Sequence, residues 1–477
     1  MSDIGKELRV SETLQKAKLA AGIFSQLSQE HTDKIVKAVY KAALNNRAKL
    51  AELAVEETTY GNLKDKIIKN VIASQYVYED LKSRKTVGII SEDNDKGIVK
   101  IAHPKGPVLG IVSRYSPTSD AIFKILISLK TRNPIILVPD SAAEKSLMKV
   151  VEICYEAALK ADAPEDCIQS FHNTSSDEFV SLVTKPELAL IIGSDEEDIK
   201  RMAHVTAPVI GTGASNVPCY IADTADISLS VREIINSKTF DNGIMQLSEQ
   251  TIIINNAIKD GILKEFKDNK AYFLDDCQRS MLNELLLANE KAGKYKNVTG
   301  KSPYEIASLA GFDIPEDTSL IMVELDGIGQ DHPLSSKILA PVLSYCFVND
   351  FHEAINCCMD INFLGNMGNT VSLFTNNNEN VLKFADIMHA GRILINTPAS
   401  IGAIGGWYNS MHPSFSYACG SNENSLSMDN VTIDHLLHVQ TISRRRPNNR
   451  IANFDFNIYY DESYDSDYIE KAFNLNY

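Results

Sequence analysis

The sequence lacks several features that would point directly to a function. It contains one tryptophan and no long apolar run, and its 47 Lys and Arg residues are outnumbered by 62 Asp and Glu residues, for a formal net charge of −15. A negative balance disfavours general binding to nucleic acids or anionic membranes, because phosphates are repelled at long range. A membrane-spanning helix needs about 20 consecutive apolar residues. We therefore expect no nucleic-acid partner and no membrane partner.

The eight cysteines also lack the spacing of a metal site, because none of them forms a Cys-x-x-Cys pair. The first residues include Asp3, Glu7 and Glu12 and no apolar signal core, so secretion is not expected. In a long chain of this kind, the cysteines are predicted to be reduced and mostly buried. The expected location is cytoplasmic, and no metal site is predicted.

The features that are present are those of a folded protein with a sizeable core, since 44% of the 477 residues are hydrophobic and 23% are charged. Residues 10–85 show helical periodicity. We expect these helices to pack on the first domain. The alternative is that they form an amphipathic targeting segment that binds a partner or a protein shell. Residues 86–106 contain two β-forming runs around a polar turn and predict a β-hairpin.

An alternating series of strands and helices follows. Apolar strand candidates lie at 108–112, 134–138, 188–192 and 217–221, and helical stretches at 119–129 and 142–160 separate the first three. This order predicts a parallel sheet covered on both faces, which binds ligands beyond the carboxyl ends of its strands. A second series spans 239–397, with strand candidates at 251–254, 320–325, 372–375 and 392–396, and a last candidate follows at 436–442.

Residues 237–250 join the two series and carry the most informative motif. They read Ser-Lys-Thr-Phe-Asp-Asn-Gly-Ile-Met-Gln-Leu-Ser-Glu-Gln, between a predicted helix at 227–236 and the strand at 251–254. A small-residue turn that leads into a buried strand is a common place for a reactive side chain in α/β proteins. Asp-Asn-Gly is equally a common plain turn, and the residues alone leave both interpretations open.

This segment, together with residues 118–124, 129–133 and 392–400, resembles the CoA-acylating aldehyde dehydrogenases, and above all the N-terminal half of the bifunctional aldehyde-alcohol dehydrogenases. The resemblance extends to about Asn448. It implies an α/β fold, the aldehyde dehydrogenase fold, with two doubly wound α/β domains and a β-hairpin oligomerisation arm.

The resemblance also implies domain boundaries. A nucleotide-binding-type domain would comprise 1–85 and 107–236, with 408–430 packed back on it, and a nucleophile-loop domain would comprise 237–407. The arm would combine 86–106 with 431–447 and form at least a homodimer, because an exposed strand edge needs a partner. Residues 448–477 are acidic and rich in Tyr. We predict a disordered, solvated tail there, and a contact for another protein is the alternative.

In this family a Cys thiolate attacks the aldehyde, hydride passes to nicotinamide, and the acyl group then passes to CoA. The resemblance places Gln246 at the nucleophile position, Ser116 at the position of an oxyanion-binding Asn, and Asn369 at the position of a His. A carboxamide is no substitute for a thiolate, and Asn cannot transfer a proton as imidazole does. A nucleophile relocated to Cys419 is one alternative, and an ordinary loop with Ser119 as the N-cap of the next helix is the other interpretation of Ser116.

The resemblance assigns further positions to the cofactor: Ser113, Pro139, Gly193, Ser194, Gly213 and Lys337. Lys337 replaces a Glu that bonds the nicotinamide ribose in the family. Residues 195–198 after the Gly193-Ser194 turn are all acidic, and they would repel a diphosphate from the helix start that normally receives it. Capping of a solvated helix explains these carboxylates equally well. Both interpretations predict NAD binding that is weak or absent, and they leave CoA binding open.

Three hypotheses follow. The first is a catalytically inactive homologue that serves as a structural or regulatory partner, assembled with itself or with an active paralogue. The second is an active NAD-dependent oxidoreductase that converts a short aldehyde and CoA into acyl-CoA through atypical residues. The third is a sensor that retains a CoA or nucleotide site without catalysis.

Overall fold

The computed structural model describes residues 3–193, 202, 205–211, 215–287, 295, 297–365, 368–417, 429–445 and 455–475. The chain forms two compact units. The larger comprises Met1–Arg84 with Pro104–Leu437, and the smaller comprises Lys85–His103 with His438–Tyr477. Strands and helices are numbered below in chain order.

The smaller unit contains a three-stranded sheet in the order β1-β2-β15. Strands β1 (Gly88–Asp93) and β2 (Ile98–Pro104) are antiparallel, which confirms the predicted hairpin, and β15 spans Leu437–Ser443. Helices α16 (Asn457–Tyr460) and α17 (Ser466–Leu475) follow. The expectation of a tail without secondary structure is wrong for these residues, because Asp465 caps α17 by accepting the Tyr468 N–H at 2.8 Å.

The first sheet of the larger unit has five parallel strands in the order β5-β4-β3-β6-β7. All five residues of β3 are buried, as expected for an apolar strand covered on both faces. The predicted parallel sheet is confirmed for the strands at 108–112, 134–138 and 188–192, but the strand predicted at 217–221 belongs to the second sheet. The two edge strands, β5 and β7, were not predicted. The strands are β3 (Val108–Val112), β4 (Ile135–Pro139), β5 (Ile168–Ser170), β6 (Leu190–Gly193) and β7 (Val209–Gly211).

Helices cover both faces of this sheet. On one face, Val10 and Leu14 of the first helix pack with Leu109 and Ile136 of the strands, so the N-terminal helices pack on the sheet as expected. The helices are α1 (Asp3–Phe24), α2 (Gln29–Asn45), α3 (Arg47–Thr58), α4 (Leu63–Val71), α5 (Val77–Leu81), α6 (Pro117–Lys130), α7 (Glu144–Lys160) and α8 (Ser176–Val183), with a π-helical turn at Ile72–Tyr76.

Helix α6 corrects one prediction, because its N-cap is Ser116 and not Ser119. Proline at the first helical position, here Pro117, favours this start, since its missing N–H would have no partner there and its φ already suits the helix. Every residue of α6 is buried. The helix therefore fixes the position of the loop before it.

The second sheet has seven parallel strands in the order β10-β11-β12-β9-β8-β13-β14. The strands are β8 (Val217–Ile221), β9 (Glu249–Asn255), β10 (Ala271–Phe273), β11 (Leu320–Glu324), β12 (Val342–Val348), β13 (Gly368–Phe374) and β14 (Ala390–Ile395). The helices are α9 (Ile227–Thr239), α10 (Lys259–Asp268), α11 (Asp276–Leu287), α12 (Pro303–Ala310), α13 (Phe351–Leu364), α14 (Asn378–Ile387) and α15 (Ala399–Ile404). Together the two sheets confirm the predicted α/β class.

Two kinds of feature are absent from the described part of the chain. No helix in it is long and apolar enough to cross a membrane. No group of three or more His, Cys, Asp or Glu side chains there could hold a metal ion.

Candidate active site

A left-handed turn joins α9 to β9. Asp241, Asn242 and Gly243 have φ angles of 53°, 53° and 71° in succession, and a non-glycine residue adopts such a conformation at a cost of about 1–2 kcal/mol. Gly243 is also confined by its surroundings, because a Cβ at this position would lie 2.4 Å from the carbonyl carbon of Ala340. This is a strained turn held by its neighbours, which is typical of functional sites.

A buried carboxylate network holds the turn in place. Asp241 Oδ2 lies 2.5 Å from Lys69 Nζ and 3.1 Å from Lys66 Nζ, both on α4. Asp241 Oδ1 accepts the Asn62 N–H at 2.8 Å, and the Asp241 N–H donates to Asp65 Oδ2 at 2.7 Å. Burial alone would raise the pKa of Asp241, but the two ammonium groups outweigh it and hold that pKa below its ordinary value.

Lys69 also contacts the loop before α6. Its Nζ donates to Ser116 Oγ at 2.8 Å. Burial lowers the pKa of Lys69 to about 8, although the charge of Asp241 acts in the opposite direction. The Ser116 side chain caps no backbone amide of α6. Its hydroxyl is thus committed to Lys69 and not to the helix.

Gln246 lies three residues after the turn and lines a small cavity of about 40 Å³, which we call the turn cavity. Its carbonyl oxygen accepts a hydrogen bond from Ser215 Oγ at 2.9 Å, whereas its side-chain Oε1 is buried and receives no hydrogen bond from any described residue. The cavity brings Gln246 and Ser116, the predicted nucleophile and oxyanion positions, to one place. Its lining residues within the described part of the chain, none of which is a cysteine, are Ser113, Tyr115, Ser116, Asp120, Ile244, Met245, Gln246, Phe415 and Tyr417.

Asn369, predicted at the position of the family's His, does not line the turn cavity. It is buried on β13, where its Oδ1 accepts hydrogen bonds from Thr370 Oγ1 at 3.0 Å and from the Arg392 guanidinium. Arg392 also donates to Asn430 Oδ1 at 2.9 Å, and its guanidinium carbon lies 5.8 Å from the centre of the Tyr417 ring. Asn369 is therefore linked to the cavity through Arg392 and Tyr417.

A larger cavity of about 600 Å³ lies at the carboxyl ends of β3 and β4, and we call it the strand-end cavity. Ser113 and Pro139, both predicted at cofactor positions, line it. Arg114 and Asp140 also line it, and they form an ion pair with a distance of 2.6 Å between Nη2 and Oδ2. Arg114 and Asp140 are the cation and the anion among its described lining residues, which are otherwise uncharged: Ile111, Val112, Ser113, Val138, Pro139, Ser141, Thr174, Ser175, Ser176, Phe179 and Val180.

The other predicted site residues lie apart from these two cavities or outside the described residues. Gly193 ends β6 and pairs with Gly211 of β7. Lys337 is half-buried and precedes Ile338, whose N–H donates to Gln250 Oε1 at 2.9 Å. Ser194, Gly213 and Cys419 lie outside the described residues, as do the acidic residues 195–198.

A second pair of buried charges flanks the turn, and sequence reasoning did not identify it. Burial lowers the pKa of Lys238 to about 7 and raises the pKa of Glu249 to about 7. Lys238 Nζ donates to Gln250 Oε1 at 2.9 Å and to the Ile338 carbonyl at 3.0 Å, and Glu249 Oε1 accepts the Ala399 N–H at 2.7 Å. These bonds connect the end of α9 and the start of β9 to their surroundings.

The lysines of α4 were also missed, although the sequence contains a signal for them. Lys66 and Lys69 are three residues apart and therefore share one face of the helix. That face is buried, and Ile67 and Ile68 are only partly buried. A helix whose lysines face inward needs buried anions, and Asp241 supplies one.

Two parallel, helix-covered sheets, a strained turn leading into a central strand, and a cavity at the strand ends define an α/β protein with a ligand-binding edge at the carboxyl ends of its strands. The sequence model described as "Aldehyde dehydrogenase family" matches residues 2–273. The bifunctional aldehyde-alcohol dehydrogenase AdhE of Escherichia coli K12 is 36% identical over 441 residues, which cover 91% of this chain and 49% of that protein. The chain spans about half the length of such relatives.

Full-length similarity is found with shorter proteins. The sulfoacetaldehyde dehydrogenase (acylating) of Bilophila wadsworthia is 30% identical over 444 residues, covering 91% of this chain and 94% of that protein. The structure of an acetylating aldehyde dehydrogenase from Geobacillus thermoglucosidasius matches with a TM-score of 0.90 at 33% identity, covering 94% of this chain and 100% of that one. This chain belongs to the aldehyde dehydrogenase family, and the relatives it resembles are acylating members.

Proposed function

We propose that this protein does not oxidise aldehydes and serves as a structural or regulatory partner within the acylating aldehyde dehydrogenase family. The observation that carries the proposal is Gln246 in the turn cavity, where the family resemblance places the nucleophilic Cys. A carboxamide offers hydrogen bonds but no useful electron pair for attack on an aldehyde. No cysteine lines the cavity among the described residues, so none of them supplies the missing sulfur.

The change at Ser116 supports the same proposal. An amide donor aimed at the oxyanion contributes about 3–4 kcal/mol to catalysis in comparable sites. Ser116 has a shorter side chain than Asn, and its Oγ accepts a hydrogen bond from Lys69. Asn369 cannot replace a proton-transferring imidazole, and its Oδ1 is engaged by Arg392. Three groups that the chemistry needs are thus altered together.

The strand-end cavity leaves space for a nucleotide but provides little attraction for one. Its volume of about 600 Å³ lies within the range of small-molecule sites. A diphosphate requires positive charge or free N–H groups, and the Arg114 guanidinium is already neutralised by Asp140. Ser113 and Pro139 would contact the nucleotide. We therefore propose that NAD binds weakly or not at all, and we leave CoA to experiment.

A protein without catalysis can still act by assembling with other chains. We propose that the three-stranded sheet is the surface through which this protein assembles. Strands β1 and β15 lie at the two edges of that sheet, and they carry exposed apolar side chains, among them Ile89, Val439 and Ile442. Exposed edges with apolar residues pair readily with another chain. We propose a homo-oligomer, at least a dimer, through residues 86–106 and 431–447, and hetero-assembly with an active paralogue through the same surface.

The test is an assay for NADH formation by the purified protein with acetaldehyde, CoA and NAD. We expect no turnover by the unmodified protein. Gln246→Cys restores the thiol, Gln246→Ser is its thiol-free control, and Gln246→Cys with Ser116→Asn restores the oxyanion donor as well. Activity should appear only in the variants that contain the thiol, and Gln246→Ser should remain inactive. Turnover by the unmodified protein would establish the alternative, an active NAD-dependent oxidoreductase with atypical residues.

The assembly proposal has a separate test. Analytical ultracentrifugation should detect a dimer or larger species. Val439→Pro should dissociate this species, because proline removes a backbone hydrogen-bond donor from β15. A monomer at all concentrations would contradict this part. Thermal stabilisation by CoA or NAD without turnover would instead indicate a sensor.

A further inference from the structure

The contact between Lys69 and Ser116 has a chemical capability that aldehyde oxidation does not use. A hydroxyl becomes a nucleophile when a neighbouring base accepts its proton, and an amine with a lowered pKa can be that base. Lys69 Nζ lies 2.8 Å from Ser116 Oγ, which is direct hydrogen-bond distance. Ser116 is half-buried and lines the turn cavity, whereas Lys69 is fully buried behind it.

The charges around Lys69 allow it to lose a proton. The Oδ2 atom of Asp241 is within ion-pair distance of both Lys69 and Lys66. When Lys69 is neutral, Asp241 keeps Lys66 as its counter-charge. The neutral amine can still donate an N–H to Asp241 while its lone pair accepts the O–H of Ser116. Both hydrogen bonds observed for Lys69 are therefore compatible with its basic form.

We propose that Ser116 and Lys69 form a serine–lysine dyad, and that the turn cavity accepts small acyl groups from activated esters, including thioesters, onto Ser116. The proton of the Ser116 hydroxyl passes to Lys69 Nζ as the Oγ–C bond forms. The C–O or C–S bond of the donor then breaks, and the leaving alkoxide or thiolate takes the proton from Lys69. Lys69 then deprotonates a water molecule, which attacks the acyl-serine. The C–Oγ bond breaks, Ser116 Oγ takes the proton back from Lys69, and the carboxylic acid leaves. No oxidant, reductant or nucleotide is needed, so the reaction is compatible with the absence of aldehyde oxidation.

The size and lining of the cavity limit the substrate. A volume of about 40 Å³ has room for a group of a few heavy atoms, such as acetyl. Gln246 lines the same cavity, and a side-chain amide N–H is a suitable donor for the oxyanion of an acyl-transfer intermediate. The residue that prevents thiolate chemistry is thus compatible with acyl transfer to Ser116.

The experiment uses p-nitrophenyl acetate and acetyl-CoA as probes with the full chain. We expect a burst of p-nitrophenol followed by slow turnover, and mass spectrometry of a rapidly acidified sample should find one acetyl group on the peptide that contains Ser116. With acetyl-CoA, free thiol should be released. Ser116→Ala should lower the acylation rate at least tenfold while leaving thermal stability little changed.

The pH profile distinguishes a base from a structural lysine. Charged or titratable groups around Lys69 and the cavity are Asp65 and Lys66 on α4, Asp241 in the turn, and Asp120, Tyr115 and Tyr417 in the cavity lining. The acylation rate should rise with pH with a midpoint at about 8. Lys66→Met is the matched control, because Lys66 binds the same carboxylate without contacting Ser116. Its removal should shift the midpoint upward, since the Lys66 charge lowers the pKa of Lys69.

Several outcomes would overturn the proposal. Acetylation at the same rate in Ser116→Ala, or the absence of an acetyl group on the peptide that contains Ser116, would show that Ser116 is not the nucleophile. A pH profile that Lys66→Met leaves unchanged would show that Lys69 is not the base. No burst at a pH above 9 would show that the dyad does not react with these esters, whatever the result of the NADH assay.

Discussion

The Nζ atom of Lys69 lies 2.5 Å from Oδ2 of Asp241, and this contact joins helix α4 to the left-handed turn that precedes Gln246. Both side chains are essentially inaccessible to solvent. Burying an ion pair costs desolvation energy, and this cost can exceed the attraction between the two charges. A buried pair is therefore weak evidence for stability and better evidence for a role in positioning or function. Here it fixes a strained turn and at the same time positions a lysine against Ser116.

Asp241→Asn should destabilise the protein by about 3–5 kcal/mol, because it leaves two buried ammonium groups without their carboxylate. Asn keeps an oxygen that can accept the Asn62 N–H, so the loss reports the charge. Urea unfolding measures the change. Asp162→Asn is the control, since it removes the exposed partner of Lys34 and should alter stability little. Equal stability of the two variants would contradict the role given to the network.

Gly243→Ala should be much more destabilising than Gly88→Ala. The two glycines have similar φ angles, 71° and 68°, so both alanines bear the left-handed penalty of about 1–2 kcal/mol. The new Cβ at position 243 also lies 2.4 Å from the Ala340 carbonyl carbon, whereas no neighbouring atom of the described residues lies within 4 Å of a Cβ at position 88. The difference between their melting temperatures therefore measures the collision. Similar melting temperatures would show that the turn moves freely.

Glu249→Gln should change how stability depends on pH. The pKa of Glu249 is raised from 4.5 in the unfolded chain to about 7 in the folded protein, so the folded state binds this proton more tightly. That stabilisation is fully present below pH 4.5 and is lost as the pH rises through 7, by up to about 3 kcal/mol.

In Glu249→Gln this component of the pH dependence should disappear. Urea titrations of both proteins at several values between pH 4.5 and pH 8 provide the comparison. Lys238, with its pKa lowered to about 7, has the opposite effect above pH 7, where stability should rise with pH as its buried charge is lost. Parallel pH profiles for the two proteins would refute the assignment to Glu249.

Asp140→Asn should strengthen the binding of NAD and of ADP, measured by calorimetry. The unmodified protein should give weak heats or none, because Arg114 is paired with Asp140 at 2.6 Å. Without the carboxylate, the guanidinium becomes available to phosphate oxygens. Arg114→Gln combined with Asp140→Asn should abolish the gain. Micromolar NAD binding by the unmodified protein would refute the electrostatic argument.

Much of the fold could be predicted from the sequence because its central strands are continuous apolar runs. Predicted strands 108–112 and 217–221 coincide with β3 and β8. Strand β12 was missed, since Ser344, Tyr345 and Cys346 interrupt its apolar pattern although most of its residues are buried. The edge strands β5, β7 and β10 have three residues each, too few for a periodic signal.

The parts of the site that lie in recognisable sequence motifs could be predicted. The parts that depend on contacts between distant segments could not. The family resemblance assigned Ser116 and Gln246 to one active site, and both line the turn cavity. Lys69 was not expected there, because its partners Ser116 and Asp241 lie 47 and 172 positions away in the sequence. The left-handed turn was likewise hidden, since Asp-Asn-Gly fits several turn types.

The most direct test of the central claim is a single-turnover experiment. Concentrated protein is mixed rapidly with acetaldehyde and excess NAD in the absence of CoA, and NADH absorbance is followed, with a thiol-containing acylating dehydrogenase as the positive control. If Gln246 has replaced the working thiol, the control gives a burst of about one NADH per site and this protein gives none. A stoichiometric burst from this protein would contradict the account.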